Sequence, residues 1–362
     1  MPRAASSRRA GPIGLAAFVI VSIALLVAFA PARRGGAGPA AFDLSKPLPD
    51  TIPPGVVLRV GDPVTQWIFQ HEGWEKQLPF KIEWAQITGG PDVTEAFHAG
   101  ALDVGLGASV PPIHAAWTGI PVRIVAFRDF AEPDRHQAWV FGVSPNAKVA
   151  SVADLKGKRI AFSPSQVQAV VVLQTLKAAG LKTSDVTLVE LPSSIGGDVY
   201  TNALASGEVD VAPLGAGIVV QRYIRKFGSD GARLLKHPPF RDDALNVYVP
   251  ETVLADPGKA AALKLFIRYW GKAQAWINAH PEALAEGYYG RHQGLPIADG
   301  RLIVGATGKV HVPGDWSRAR AVEQAAIDIL GQQTGRPRLD AATLFDPRFE
   351  TIAATAAQGT AS

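Results

Sequence analysis

The 362-residue chain contains no cysteine. That absence excludes a disulfide framework, a thiolate metal site, a cysteine nucleophile and a lipidated cysteine. Histidine is present but dispersed. His71, His98, His114, His136, His237, His280, His292 and His311 form no His-x-x-x-His or similar pair with metal-ligand spacing. No metal and no cofactor is expected. Gly105-x-Gly107 and Gly215-x-Gly217 lack the third glycine of a dinucleotide-binding turn. Ser109 sits in GASVP, without the flanking glycines of a nucleophile elbow. No acid–base dyad is visible, so no catalytic residue is assigned. Positive charge is also scarce once it is located. The net charge of +4 comes from Arg3, Arg8, Arg9, Arg33 and Arg34, which all precede the first acidic residue, Asp43. The remainder sets 31 basic residues against 32 acidic ones, which gives a nucleic-acid role little electrostatic support.

Only one apolar run is long. A basic start leads into Ile13–Ala30, and Ala28-Phe29-Ala30 is a plausible cleavage site. Residues 1–30 therefore read as a signal peptide or as an uncleaved N-terminal membrane anchor, because 18 apolar residues just suffice to span a bilayer. Residues 31–55 are rich in proline and glycine and read as a tether. The rest should lie beyond the cytoplasmic membrane, in the periplasm or on its outer face.

Beyond the tether, short apolar runs alternate with amphipathic segments, from a strand at Val56–Val60 to a strand at Trp139–Val143. Such alternation implies a parallel sheet covered by helices. The pattern then restarts near Ser151. Glu95–Ala108 and Asn202–Ala216 share Ala-x-x-x-Gly-x-x-Asp-Val followed by Leu-Gly-Ala, which points to duplicated lobes. After Asn246–Val249 the chain becomes mainly helical. In open α/β sheets ligands sit beyond the carboxyl ends of the strands. The expected cleft-lining loops are thus Gly61–Trp67, Gly107–Ser109, Ser163–Gln168 and Leu214–Gly217, with crossings between lobes near Val143–Ala150 and Arg241–Val247.

Gly157–Gly180 shows how such a loop could work. Lys158–Phe162 is a strand, Ser163 is placed to cap a helix, and Pro164 fits its first position. The free N–H groups of that helix start, with Ser163, Ser165 and Gln166 around them, could hold a small anion without a cationic side chain. An ordinary capped helix explains the same residues. Trp67 is either a stacking wall for a ligand or core on the first helix. Arg128 and Arg241, near the crossings, are candidate bidentate anion clamps.

Three segments carry a family resemblance: GGPDVTEAFHAGALDVGLGASVPPIHAAWTGIPVRIVA (Gly89–Ala126), SVADLKGKRIAFSPSQVQAVVVLQTLKAAGL (Ser151–Leu181), and Leu191-Pro192 with ALASGEVDVAPL (Ala203–Leu214). Together they resemble the substrate-binding proteins of ATP-driven (ABC) importers, in the aliphatic sulfonate/nitrate/taurine-like group, over about Val56 to Leu330. The resemblance implies an α/β, two-lobed type II periplasmic-binding-protein fold, with hinged lobes and a central ligand cleft. On that pattern residues 56–145 and 244–345 build the first lobe, 146–243 the second, and 346–362 a flexible tail. It also implies a monomer that captures a small anionic solute and delivers it to a membrane permease and its ATPase. The ligand contacts it implies are Gln66, Trp67, Gly107, Ala108 and Ser109 in one lobe, and Ser163, Ser165, Gln166, Gly215 and Ala216 in the other. Two features depart from the group: Pro-Leu-Gly-Ala-Gly-Ile replaces an aromatic-rich segment after Asp210, and the first helix opens Asp-Pro-Val-Thr-Gln-Trp rather than Tyr-Gln. A secreted or anchored enzyme on the same two lobes, acting on a small precursor, is the alternative.

Overall fold

The computed structural model describes residues 43–87, 90–192 and 198–359. The proposed leader, with its cleavage site, lies outside them. Among the described residues no helix is long and apolar enough to cross a membrane.

Two sheets organise the chain. Strands β1 (Val57–Gly61), β2 (Lys81–Trp84), β3 (Val104–Gly107) and β4 (Val122–Phe130) enter the first sheet. Strands β5 (Trp139–Val143), β6 (Arg159–Phe162), β7 (Thr187–Glu190), β8 (Val211–Gly215) and β9 (Arg233–Leu235) form the second. The chain then returns to the first sheet with β10 (Leu245–Pro250) and β11 (Val310–His311). The spatial orders are β11-β4-β10-β3-β1-β2 and β7-β6-β8-β5-β9. Within each, β1, β2 and β3, or β6, β7 and β8, run parallel toward one edge of the sheet, whereas β10 and β5 run antiparallel to both neighbours. The all-parallel expectation therefore needs correction. Each sheet receives one strand from a chain segment arriving from the other sheet, so it enters reversed.

Strand β5 also moves a boundary. It was expected to close the first lobe, but it pairs with β8 and β9. The first crossing thus falls between β4 and β5, at 131–138, rather than near 143–150. The second, between β9 and β10, overlaps the expected segment. Two adjacent carboxylates brace the crossings. Asp243 accepts from the Phe130 amide (2.6 Å) at the end of β4, and Asp242 accepts from the Trp139 amide (2.8 Å) at the start of β5.

The duplicated motif has a structural purpose. Asp103 accepts from the backbone N–H of Arg59 (2.9 Å) and from its guanidinium (3.0 and 3.1 Å), tying the start of β3 to β1. Asp210 repeats this with Arg159, at 2.8 Å from the backbone and 2.8 and 3.3 Å from the side chain. The preceding glycines, Gly100 and Gly207, both stand at positive φ (62° and 73°), where a side chain would be strained. The two halves are thus equivalent copies, with Arg59 matching Arg159.

Helices α1 (Pro63–His71), α2 (Gly90–His98) and α3 (Val110–Trp117) follow strands of the first sheet. Helices α4 (Val167–Ala178), α5 (Asp198–Ser206) and α6 (Ile218–Phe227) follow strands of the second. The helical C-terminal part holds α7 (Glu251–Ala255), α8 (Pro257–Ala279), α9 (Pro281–Ala283), α10 (Ile297–Thr307), α11 (Ser317–Thr334) and α12 (Ile352–Gln358). Helix α8 is the main buttress of the first lobe. Asp256 caps it by accepting from Lys259 N (3.0 Å), and Leu263, Phe266, Ile267, Trp270 and Ala273 are buried on its inner face.

Both ends of the expected irregular chain turn out to be docked. Residues 346–358 were read as part of a flexible tail, yet Asp346, Phe349, Ala353 and Ala354 are buried and α12 packs along α8. Gly271 permits this contact, because a Cβ there would strike the Ala353 carbonyl. The described end of the tether is held by Leu48, which is buried, and by the Asp50–Lys264 ion pair (2.6 Å).

Candidate functional site

The carboxyl ends of β1, β3 and β4 lie at one edge of the first sheet, with the start of antiparallel β10 between those of β3 and β4, and a cavity of about 370 Å³ opens above them. Asp62 and Thr65 reach it from the turn after β1, Gly107 and Ala108 from the end of β3, and Arg128 from β4. The walls are apolar, with Trp270 and Ile277 on α8 and Val304 on α10. Between those helices the chain widens into a π-helix over Leu284–His292. A π turn takes in an extra residue, so Leu284, Tyr288 and Tyr289 all face the cavity; such turns recur at functional sites.

Arg128 dominates the electrostatics. Among the described residues no carboxylate forms an ion pair with it, none of them accepts its hydrogen bonds, and its Nε is a buried donor without a partner. It is enclosed by protein yet keeps part of its surface accessible, because that surface faces the cavity. Burial works against its charge, while Asp62 and, more weakly, Tyr289, Asp243 and Asp129 support it. A guanidinium stays protonated even so. Asp62 has the complementary problem. Burial pushes its carboxyl above the usual range, while its Thr65 hydrogen bonds and Arg128 pull it back. The Tyr288 phenol is pushed up to about 12, mainly by burial, so it is a neutral donor at ordinary pH.

A second cavity, of about 240 Å³, shares Ala108, Arg128, Leu245 and Thr307 with the first and reaches Trp139 and Ala216 in the other lobe. The guanidinium thus stands where the first-lobe cavity meets the gap between lobes. The lobes are closed on each other there. Arg225 of α6 pairs with Asp299 of α10 (2.7 Å), Gly217 lies against Ile303, and the Gln166 side chain lies against Gly90.

The other sequence candidates have separate placements. Ser109 lies in a third cavity of about 230 Å³ together with Arg241 and the first turns of α4. Arg241 is committed to carboxylates, at 2.6 Å from Asp243 and 2.7 Å from Asp129. Gln66 accepts from Gln86 (3.0 Å), and Trp67 stacks on His71 (4.7 Å between centroids) with its edge toward Tyr288, behind the cavity wall. Gly215 ends β8 opposite Trp139. Ser163, Ser165 and Gln166 line none of these three cavities. They do not form the expected cap either. Residues 163–166 make a turn closed by Gln166 N–H donating to Ser163 O (3.1 Å), and α4 begins only at Val167, with Gln166 at its N-cap position. The sequence reading put Asp62 in the cleft-lining loop Gly61–Trp67 without naming it as a contact, and it missed Trp270, Gln274 and the Tyr288-Tyr289 pair. Asp62 carried a signal, an N-cap residue before proline at a strand end. The others come from distant helices and carried none.

Comparison with known proteins agrees with this architecture. A family model described as NMT1/THI5 like matches residues 69–283. A protein of Escherichia coli (strain K12) described as an aliphatic sulfonates-binding protein is 35% identical over 117 residues, 32% of this chain. That match spans 35% of the relative's length. Among solved structures, the periplasmic aliphatic sulphonate binding protein SsuA of Escherichia coli superposes with a TM-score of 0.66 at 22% identity, covering 82% of this chain and 99% of its own. The alkanesulfonate-binding protein SsuA of Xanthomonas axonopodis pv. citri, bound to MOPS, gives 0.65 at 21% identity, covering 84% and 98%. The desulfurization enzyme DSZB has the same fold at 14% identity, with a TM-score of 0.54 over 83% of this chain and 99% of that one. With two sheets of matching topology joined by two crossings, the protein has the two-lobed periplasmic-binding-protein fold, and the chain belongs to the NMT1/THI5-like family.

Proposed function

We propose that the protein is the extracytoplasmic solute-binding component of an ABC importer. It captures a small organic anion of the sulfonate type between its lobes and delivers it to a membrane permease and its ATPase. The observation that carries this reading is Arg128: an enclosed guanidinium with no ion pair among the described residues, facing an otherwise largely apolar cavity of about 370 Å³. Leaving a buried charge unpaired costs several kcal/mol, and an anionic ligand removes that cost on binding. The aromatic and aliphatic walls suit an anion with an apolar body better than nitrate, which would leave most of the space empty. The sulfonate-binding relatives support the choice of anion. The first lobe comprises the β1–β4, β10 and β11 sheet with its C-terminal helices, and the second comprises β5–β9. Ligand touching both lobes favours the closed state, which is what a permease can sense. Export through the leader places the protein in the periplasm or on the outer face of the membrane, as a monomer without cofactor.

Titration calorimetry and tryptophan fluorescence with hexanesulfonate, benzenesulfonate and nitrate test this reading. Saturable binding of the sulfonates without product formation is expected, with at least about 100-fold weaker binding by Arg128→Gln, since a desolvated charge-assisted pair contributes about 3 kcal/mol or more. Equal binding by Arg128→Gln removes the guanidinium from the site, and turnover of a sulfonate makes the protein an enzyme.

A further inference from the structure

Helix α10 touches everything that would have to move together. Val304, Thr307 and Gly308 line the first cavity, and Ala306 and Thr307 line the second. The helix packs closely on the π-helix that presents Tyr288 and Tyr289, since a Cβ on Gly300 would strike the Ala285 carbonyl and press on Tyr289. Its end abuts the first crossing. A Cβ on Gly308 would strike the His136 ring, and Lys309 O accepts from Ala131 N (2.8 Å). A shift of α10 therefore alters the cavity wall and the crossing at once.

A neighbouring face of the same helix meets the second lobe. Asp299 and Ile303 are one turn apart. Ile303 lies against Gly217, just before α6, and Asp299 pairs with Arg225 of α6 (2.7 Å). The Asp299 side chain is 5% exposed, and Arg225 is its only ionic partner among the described residues. Outside the crossings at 131–138 and 236–244, no other ion pair among the described residues joins the two lobes. A carboxylate withdrawn from water at such a seam is costly unless a cation stays with it.

We infer that Asp299 and Arg225 are positioning residues: neither lines a ligand cavity that holds Arg128, yet together they latch α10 to the second lobe and set how firmly the lobes stay closed. This rests on the solute-binding reading above and adds the regulation of that site. A solute held by the closed lobes binds in proportion to the population of that state. The latch therefore acts on affinity from outside the cavity.

The absence of cysteine makes the test specific. Spin labels attach only at introduced cysteines, Glu95→Cys on α2 and Lys177→Cys on α4, both exposed positions. The starts of these helices meet across the gap through Gly90 and Gln166, so opening lengthens the distance between the labels. Double electron–electron resonance on the full chain without solute reads the open and closed populations. Arg225→Ala should raise the open-to-closed ratio about ten-fold, because Asp299 loses its partner at the seam. Arg225→Lys should stay within about two-fold of wild type, since one contact to one oxygen needs a charge rather than a fork. Adding Asp299→Asn to Arg225→Ala should recover most of the closed population, as the uncompensated charge is gone. Affinity for hexanesulfonate, by titration calorimetry, should follow the same order and be weakest in Arg225→Ala. Equal distances in wild type and Arg225→Ala, or no recovery in the double variant, overturn the latch. The distances need no solute, so a failure of hexanesulfonate to bind overturns the sulfonate reading alone, and the label distances still decide the latch.

Discussion

Glu323 offers a prediction whose sign depends on burial alone. It lies on α11 with no exposed surface, and Asn246 of β10 donates to its Oε1 at 2.7 Å. The same amide group reaches the Ala108 carbonyl at 3.4 Å, so the carboxyl helps to hold the loop that floors the cavity. Burial pushes the Glu323 carboxyl up to about 8, against the opposing pull of Asn246 and Ser109. The native protein therefore keeps this proton at pH 7, whereas the unfolded chain loses it near its ordinary value of about 4.3. Between those two values the native state binds more protons, so stability falls as pH rises and levels off only above the folded value.

Each unit of that window is worth about 1.4 kcal/mol, which gives about 3–4 kcal/mol lost between about pH 5 and pH 8. Glu323→Gln removes the titration but keeps an oxygen to accept from Asn246. The variant should match wild type within about 0.5 kcal/mol at pH 5 and exceed it by about 3 kcal/mol at pH 8, a difference of roughly 6 °C in melting temperature for a body of this size. Urea or thermal melts at the two pH values decide it. Parallel profiles for variant and wild type would mean that Glu323 is charged or hydrated in the native state, and the reasoning would fall.

The duplicated Arg–Asp clamps should differ in strength. The Asp103 side chain is 4% exposed and also accepts from Lys259 Nζ (2.8 Å), whereas the Asp210 side chain is 21% exposed and, among the described residues, accepts from no lysine. Asp103→Ala should cost about 2–3 kcal/mol by removing charge-assisted bonds from Arg59 and Lys259, two cations that stay partly exposed to water, and Asp210→Ala about 1–2 kcal/mol; urea midpoints measure both. Burial raises both carboxyls, but hydrogen bonds from their Arg and Lys partners outweigh it and hold them below the usual range, so their stabilisation is complete above about pH 4 and is lost below it, as pH falls through the lowered folded values. Gly271→Ala should push α12 off α8 at a cost of about 1–3 kcal/mol, visible as faster proteolysis after Thr351.

Local order was legible in the sequence where the pattern is local. The Asp-Val repeat announced two copies of one unit, and Asp103 and Asp210 occupy equivalent places in them. Helix α8 could be read from its apolar spacing, and Asp256 sits where a cap belongs. Strand direction was not legible. Nothing in the sequence of β5 or β10 says that it enters the opposite sheet, because that follows from where the chain arrives rather than from what it contains. The docked tail was equally hidden. Its small residues, Ala353 and Ala354, look like low-complexity chain until α8 presents Gly271 to receive them.

Equivalence of the copies also explains why the candidate site straddled two places. Matching Arg59 to Arg159 sets Pro63–Gln66 against Ser163–Gln166, so the turn that seemed made for an anion is the second copy of the turn that borders the cavity. The copies then differ in what surrounds them. The first-sheet turn faces α8 and the π-helix, C-terminal elements that only this lobe possesses and that supply most of the apolar wall. Among the described residues Ser163, Ser165 and Gln166 of the second turn line none of the three cavities, and Gln166 reaches across the gap to Gly90 instead. A binding cavity needs walls as well as a polar pole. On that reading, the lobe with walls would form the deep half of the site, and the other would close over it. On the binding role proposed above, residues 163–166 would sense closure rather than hold the ligand's charge, and Arg128, at the junction of the two cavities, would meet both tasks.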